Sequence, residues 1–137
     1  MIFEHTFHMP IHHQGYLEPQ SFLVKIDGDG MVNAWASTKG PFGTRAQFAK
    51  AVGIAPKQIR LQAVHVGADF GGKSGAGELP ICYFLAKRAN RPVKIVLTHI
   101  EELTAMNPDH YTVVNVKTGV KRDGDRKSTR LNSSHRT

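Results

Sequence analysis

The chain has 137 residues, 40% of them hydrophobic, which suffices for one domain with a packed core and falls short of two. Eighteen Lys and Arg against eleven Asp and Glu give a net charge of +7, and the single cysteine excludes an intrachain disulfide framework or a cysteine-built iron–sulfur site. The longest wholly apolar run, 81–86, is far shorter than the roughly 20 residues of a membrane span, and the N-terminus lacks a basic-then-apolar signal pattern, so a soluble cytoplasmic protein is expected.

Residues 21–27 alternate Phe22, Val24 and Ile26 on one face, and 31–37 form a second short apolar run around Trp35. Asp27-Gly28-Asp29-Gly30 between them is a turn signal, which predicts a β-hairpin. Gly40-Pro41 then opens a helix with an apolar stripe of Phe42, Ala46, Phe48, Ala49 and Val52, closed by Gly53. Residues 58–66 read as a third strand. A glycine-rich loop follows over 67–77, with five glycines in eleven positions.

A helix is predicted over 78–89, because Pro80 is tolerated in its first turn and Lys87, Arg88 and Asn90 suit its end. Residues 93–98 form a fourth strand, Thr98 and Glu101 a capping box for a short helix, and 110–117 a fifth strand. The order ββαβαβαβ predicts a two-layer α/β sandwich, with helices on one face of a mixed sheet.

The loop fits the phosphate-cradling pattern from Gly67 to Gly72-Lys73-Ser74, which raises an ATP- or GTP-binding reading. That motif needs its helix to begin at the Gly-Lys-Ser itself, with free N–H groups aimed at the phosphates. Gly75 and Gly77 occupy the would-be first turn, each costing about 1 kcal/mol relative to alanine. Pro80 would then fall two turns inside the helix, where it removes a hydrogen bond. Phe70, with glycines nearby on both sides, instead suggests backbone brought close to a bulky ligand beside one aromatic wedge. A stand-alone interaction domain without chemistry is the third reading.

The segments HHQGYLEP at 12–19, WASTKGPFGTRAQFAKAVG at 35–53, VGADFGGK at 66–73, RPVKIVLT at 91–98 and EEL at 101–103 occur in an order and spacing that resemble the xanthine dehydrogenase and aldehyde oxidase family. The part resembled is the first molybdenum-cofactor-binding domain of the large subunit, over residues 2–124. The resemblance implies a molybdenum–molybdopterin cofactor, in some members a cytosine dinucleotide, used for oxidative hydroxylation of an aldehyde or N-heterocycle. It also implies iron–sulfur and FAD domains or subunits as partners, no protein ligand to the metal, and a catalytic glutamate base outside this chain.

By position, the backbone of Phe70, Gly71 and Gly72 would approach the cofactor. His12 stands where the family often has a glutamine bonded to the metal's oxo group. Xanthine-type members carry Glu where this chain has Ser74, and a substrate-binding Arg where it has Asp109. Those two substrate-pocket positions therefore argue against a purine and leave aldehydes or another small heterocycle.

Other residues carry plainer expectations. The early histidines His5, His8, His12 and His13 lack an accompanying cysteine and read as strand-edge and loop residues rather than a zinc site. Cys82 reads as a small buried hydrophobe. Glu18 is either a turn residue or an acid, and Lys73 either neutralises cofactor phosphate or pairs with a carboxylate. Glu101 and Glu102 are expected to cap and solvate a helix start.

Residues 125–137 hold one large apolar residue and no periodicity, which marks them as a non-native or disordered tail. DRKSTRLNSSH at 125–135 resembles one translated frame of a sequencing adapter. Without 125–137 the net charge falls to +4, which weakens any case for nucleic acid. The expectation is therefore a partial cofactor-binding domain over 1–124 whose natural chain continues past Gly124.

Overall fold

The structure, a computed structural model, describes residues 1–123 and the backbone of 126–135. They divide into two units, Gln14–Asn107 and a second one made of Met1–His13 with the chain from Pro108 onward.

The larger unit is built on the predicted hairpin. β2 (Ser21–Ile26) pairs antiparallel with β3 (Val32–Ala36), with Phe22 opposite Ala36 and Ile26 opposite Val32. The turn closes through Gly30, whose φ of +82° only glycine adopts without strain, and whose N–H donates to the Asp27 carbonyl at 2.9 Å. β4 (Ile59–Ala63) runs parallel to β3, and β5 (Val93–Val96) antiparallel to β2, giving the order β4-β3-β2-β5. The mixed sheet is the one expected.

Period-two alternation turns Phe22, Val24, Val32, Ala34, Ala36 and Ile59 inward. Against them pack Phe48 and Ala49 of α1 (Pro41–Val52) and Leu79, Cys82, Tyr83 and Ala86 of α2 (Leu79–Ala89). Both helices carry a proline in their first turn, Pro41 and Pro80, and end on a left-handed residue, Gly53 and Asn90, as their punctuation predicts. A third helix, α3 (His99–Ala105), carries the expected capping box: Thr98 Oγ1 accepts from the Glu101 N–H, and the Glu101 carboxylate accepts from the Thr98 N–H at 2.7 Å. Among the described residues, no helix is long and apolar enough to cross a membrane.

The smaller unit forms a second sheet around the predicted fifth strand, which the sequence reading places in the one mixed sheet. β1 (Ile2–Met9) pairs antiparallel with β6 (Thr112–Val120), from Ile2 opposite Gly119 to Met9 opposite Thr112. Every residue of β1 is exposed, so no buried face imposes an apolar–polar alternation and the strand leaves no periodic signal. β7 (Arg126–His135) continues the sheet on the other edge of β6, in the order β1-β6-β7. The tail expected to be non-native or disordered thus contributes strand backbone over 126–135; its residues 125, 136 and 137, like residue 124 before it, lie outside the described residues.

Candidate functional site

The glycine-rich loop lies between β4 and α2, and its geometry decides what it can bind. Helix α2 begins at Leu79, six positions beyond Lys73, with its N-cap at Glu78. No helix springs from the Gly72-Lys73-Ser74 run. The Lys73 ammonium is fully buried and bonded to the Glu18 carboxylate at 2.6 Å. It also lies 4.8 Å from the centre of the Tyr16 ring, a favourable cation–π distance. Of the two expectations for this lysine, pairing with a carboxylate is the one observed.

The loop folds around its own carboxylate. Asp69 accepts the Lys73 N–H at 2.5 Å on a side-chain oxygen and the Gly72 N–H at 2.8 Å on its carbonyl. Its side chain also pairs with the Lys39 ammonium at 2.8 Å. Burial works against the Asp69 charge, but the Lys39 ammonium and the Lys73 N–H outweigh it and hold the carboxyl below its ordinary value. The loop's anion-binding capacity is therefore used within the chain.

Local strain marks the segment. Ala68, Phe70 and Gly71 all have positive φ, +73°, +45° and +99°. For alanine and phenylalanine that region costs energy and persists only where the surroundings enforce it. The enforcing contacts are identifiable. The Gly67 N–H donates to Glu18 at 2.7 Å, so the GYLEP turn grips one end of the loop. At the other end Thr38 Oγ1 donates to the Lys73 carbonyl at 3.4 Å, and Thr44 Oγ1 to the Gly75 carbonyl at 3.1 Å. The STKG segment after β3 and the start of α1 thus hold the far side of the loop. Phe70, between these anchors, is 72% exposed.

Two glycines in the loop are required by close approach. A Cβ at Gly67 would fall 2.8 Å from the Glu18 Cβ, and one at Gly72 would collide with the Tyr16 ring and come 2.9 Å from Gln14 Oε1. That Gln14 oxygen is buried and has no hydrogen-bond partner among the described residues. Tyr16 is fixed from below: its hydroxyl donates to the Glu102 carboxylate, which also accepts from the Gln20 N–H at 2.7 Å. Burial, followed by the Glu102 hydrogen bond, pushes the Tyr16 hydroxyl up to about 12, so it remains a donor.

Molybdopterin cofactor-binding domain is the description of the family that matches residues 1–137. The chain belongs to this family. Its relatives of this kind are subunits and enzymes of the xanthine dehydrogenase and aldehyde oxidase family. It is 29% identical over 124 residues to a probable xanthine dehydrogenase subunit of Bacillus subtilis, covering 90% of this chain and 17% of that protein. It is 32% identical over 124 residues to a probable hypoxanthine oxidase of Escherichia coli K12, covering 90% of this chain and 13% of that protein. Its fold matches the aldehyde oxidoreductase of Desulfovibrio gigas with a TM-score of 0.76 at 22% identity, over 92% of this chain and 14% of that one. The domain therefore spans less than a fifth of the length of these relatives.

Within the molybdopterin cofactor-binding domain the site residues read from sequence distribute as follows. Phe70, Gly71 and Gly72 sit together on the strained loop of the larger unit, with Gln14, Tyr16 and Glu18 packed against it. Gly72 serves by lacking a side chain, since its N–H closes the turn. Ser74 lines a cleft of about 450 Å³ in the same unit, with Gln47, Glu78, Pro80, Met106 and Asn107 also on its walls.

His12 and Asp109 belong to the smaller unit and meet each other there. The Asp109 N–H donates to the His12 carbonyl at 2.8 Å, and the imidazole Nε2 lies 3.6 Å from the Asp109 carboxylate. Ser74 and Asp109, the two substrate-pocket candidates, thus fall in different units. His5 and His8 stand on opposite faces of β1, and His8 Nδ1 bonds the Tyr111 hydroxyl at 2.7 Å.

Glu102 corrects an expectation. Its place beside Glu101 predicts a solvated cap residue, yet it is 1% exposed and serves as the acceptor beneath Tyr16 and Gln20. A single residue step, about 100° of helix rotation, separates capping from burial, and the sequence offers no periodicity in a seven-residue helix to tell the two faces apart. The Glu18–Lys73 and Tyr16–Glu102 pairs join residues 55 and 86 positions apart. No spacing signal predicts contacts of that separation.

Proposed function

We propose that this domain works within a molybdenum hydroxylase large subunit that oxidatively hydroxylates an aldehyde or a small N-heterocycle. The observation that supports it most directly is the left-handed backbone around Phe70, held between two sets of anchors, with the aromatic ring presented outward. A rigid, glycine-opened surface beside one aromatic wedge suits a large, flat ligand such as a metallopterin. The same geometry disfavours a nucleotide triphosphate, because Lys73 is buried against Glu18 and Asp69 takes the loop amides.

When bound, the molybdenum–molybdopterin group supplies the redox chemistry of hydroxylation, while the protein supplies position and electrostatics. Phe70 and Gly71 offer backbone and ring surface to it, and Gly72 keeps the approach clear. His12 stands as a side-chain N–H donor in place of the glutamine common in the family. Ser74 and Asp109 replace the purine-gripping Glu and Arg of xanthine-type members, which favours aldehydes or other heterocycles despite the purine names of two relatives. The base, the iron–sulfur and FAD partners, and a cytoplasmic setting complete the reading; no nucleic acid or membrane takes part.

Metal and pterin analysis of the full-length subunit tests this. Molybdenum and a pterin in near one-to-one ratio to the subunit are expected. A protein that holds neither and is stabilised by ATP would overturn the assignment.

A further inference from the structure

The ion pair between Glu18 and Lys73 stands apart from the rest of the molecule. Lys73 is among the largest fully buried side chains, and the same Glu18 oxygen that bonds its ammonium also accepts the Gly67 N–H. One carboxylate oxygen therefore ties both ends of the segment 67–73, whose interior carries the strained φ values of Ala68, Phe70 and Gly71. The pair is only partly buried, with the Lys73 side chain enclosed and the Glu18 side chain 38% exposed, and solvent screening leaves such a pair little net weight in stability. It is a good device for fixing geometry, because a charge-assisted hydrogen bond is short and directional.

We infer that Glu18 and Lys73 are positioning residues: the pair sets the height and tilt of the Phe70–Gly72 backbone against the molybdopterin, beyond any contribution to folding. The inference rests on the cofactor-binding reading above. Glu18 reaches the cofactor surface only through the loop it holds. Tyr16, packed between the Lys73 ammonium and the Gly72 backbone, completes the strut from beneath.

The test uses the full-length subunit with its natural partners. Glu18→Gln/Lys73→Met removes both charges together and leaves no lone buried ion. Its unfolding temperature is expected to stay close to that of the parent, while molybdenum and pterin per subunit fall at least threefold and the Mo(V) electron paramagnetic resonance signal of the remaining fraction changes its g-values. A double variant that equals the parent in stability, cofactor content and spectrum would reduce the pair to a structural one and overturn the inference.

Glu18→Asp serves if the double variant does not fold. It keeps the charge and withdraws it by one methylene, so a folded protein with lowered cofactor content is expected; unchanged content would overturn the inference. A parent subunit that itself lacks molybdenum and pterin would refute the cofactor reading, a result distinct from loaded parent and equally loaded variants.

Discussion

The hydroxyl of Tyr16 donates to the carboxylate of Glu102 across 86 residues of chain, beneath the backbone of Gly72. This bond links α3 to the loop that carries Phe70. Tyr16→Phe keeps the ring and removes the donor, leaving the buried Glu102 with only the Gln20 groups as partners. The expected loss is about 1–3 kcal/mol of stability, measured by urea unfolding. An unchanged midpoint would mean that the bond contributes nothing net.

Gly72→Ala should be far more damaging than its single methyl suggests. The new Cβ would meet the Tyr16 ring and Gln14 Oε1, so either the loop or the tyrosine must move. Overpacking of this kind costs about 1–3 kcal/mol. The accompanying expectation is a several-fold drop in bound molybdenum in the full-length subunit. Gly43→Ala in α1, where a Cβ meets nothing within 4 Å, is the control: it should leave bound molybdenum unchanged and should not lower stability, alanine being the better helix former by up to about 1 kcal/mol.

Acid should loosen the loop, along with the Asp27 and Glu101 contacts, whose carboxyls are also held below their ordinary values. Burial opposes the Glu18 charge, but the Lys73 ammonium and the Gly67 N–H outweigh it and hold the carboxyl below its ordinary 4.5; Asp69 is likewise held below 3.8. A carboxylate depressed in the folded state stabilises fully above its unfolded value, and that stabilisation is lost as pH falls through the folded value. Stability should therefore decline on acidification below about pH 4.5, and Glu18→Gln should flatten the decline. Thermal unfolding across that range checks it; parallel curves for the two proteins would contradict it.

Cys82 should be chemically silent in the native protein. Burial pushes its thiol up, and Sγ–H donates to the Val93 carbonyl at 3.1 Å. Thiolate is the reactive form, so a maleimide should label the sole cysteine only after denaturation. Rapid labelling of the folded chain would show that α2 opens readily from the sheet.

Much of the larger unit is legible in the chain itself. Phe22, Val24 and Ile26 alternate because one face of β2 is buried, and Gly30, Pro41, Gly53 and Asn90 mark ends that need their particular backbone angles. Thr98 and Glu101 sit three apart, within reach of each other's backbone by helical geometry alone. β1 is silent, since an exposed strand has no inward face to pattern.

The amino-acid sequence by itself determined the elements of the larger unit, the mixed sheet under its helices, and the family, because each of these is written in local periodicity or in short ordered motifs. Tertiary structure alone decided what the charged residues of those motifs do. Lys73 could have faced a phosphate and faces Glu18; Glu102 could have faced water and holds Tyr16. Such choices depend on which distant groups share a low-dielectric pocket, and burial over 55 or 86 residues of separation leaves no mark in the spacing of a chain.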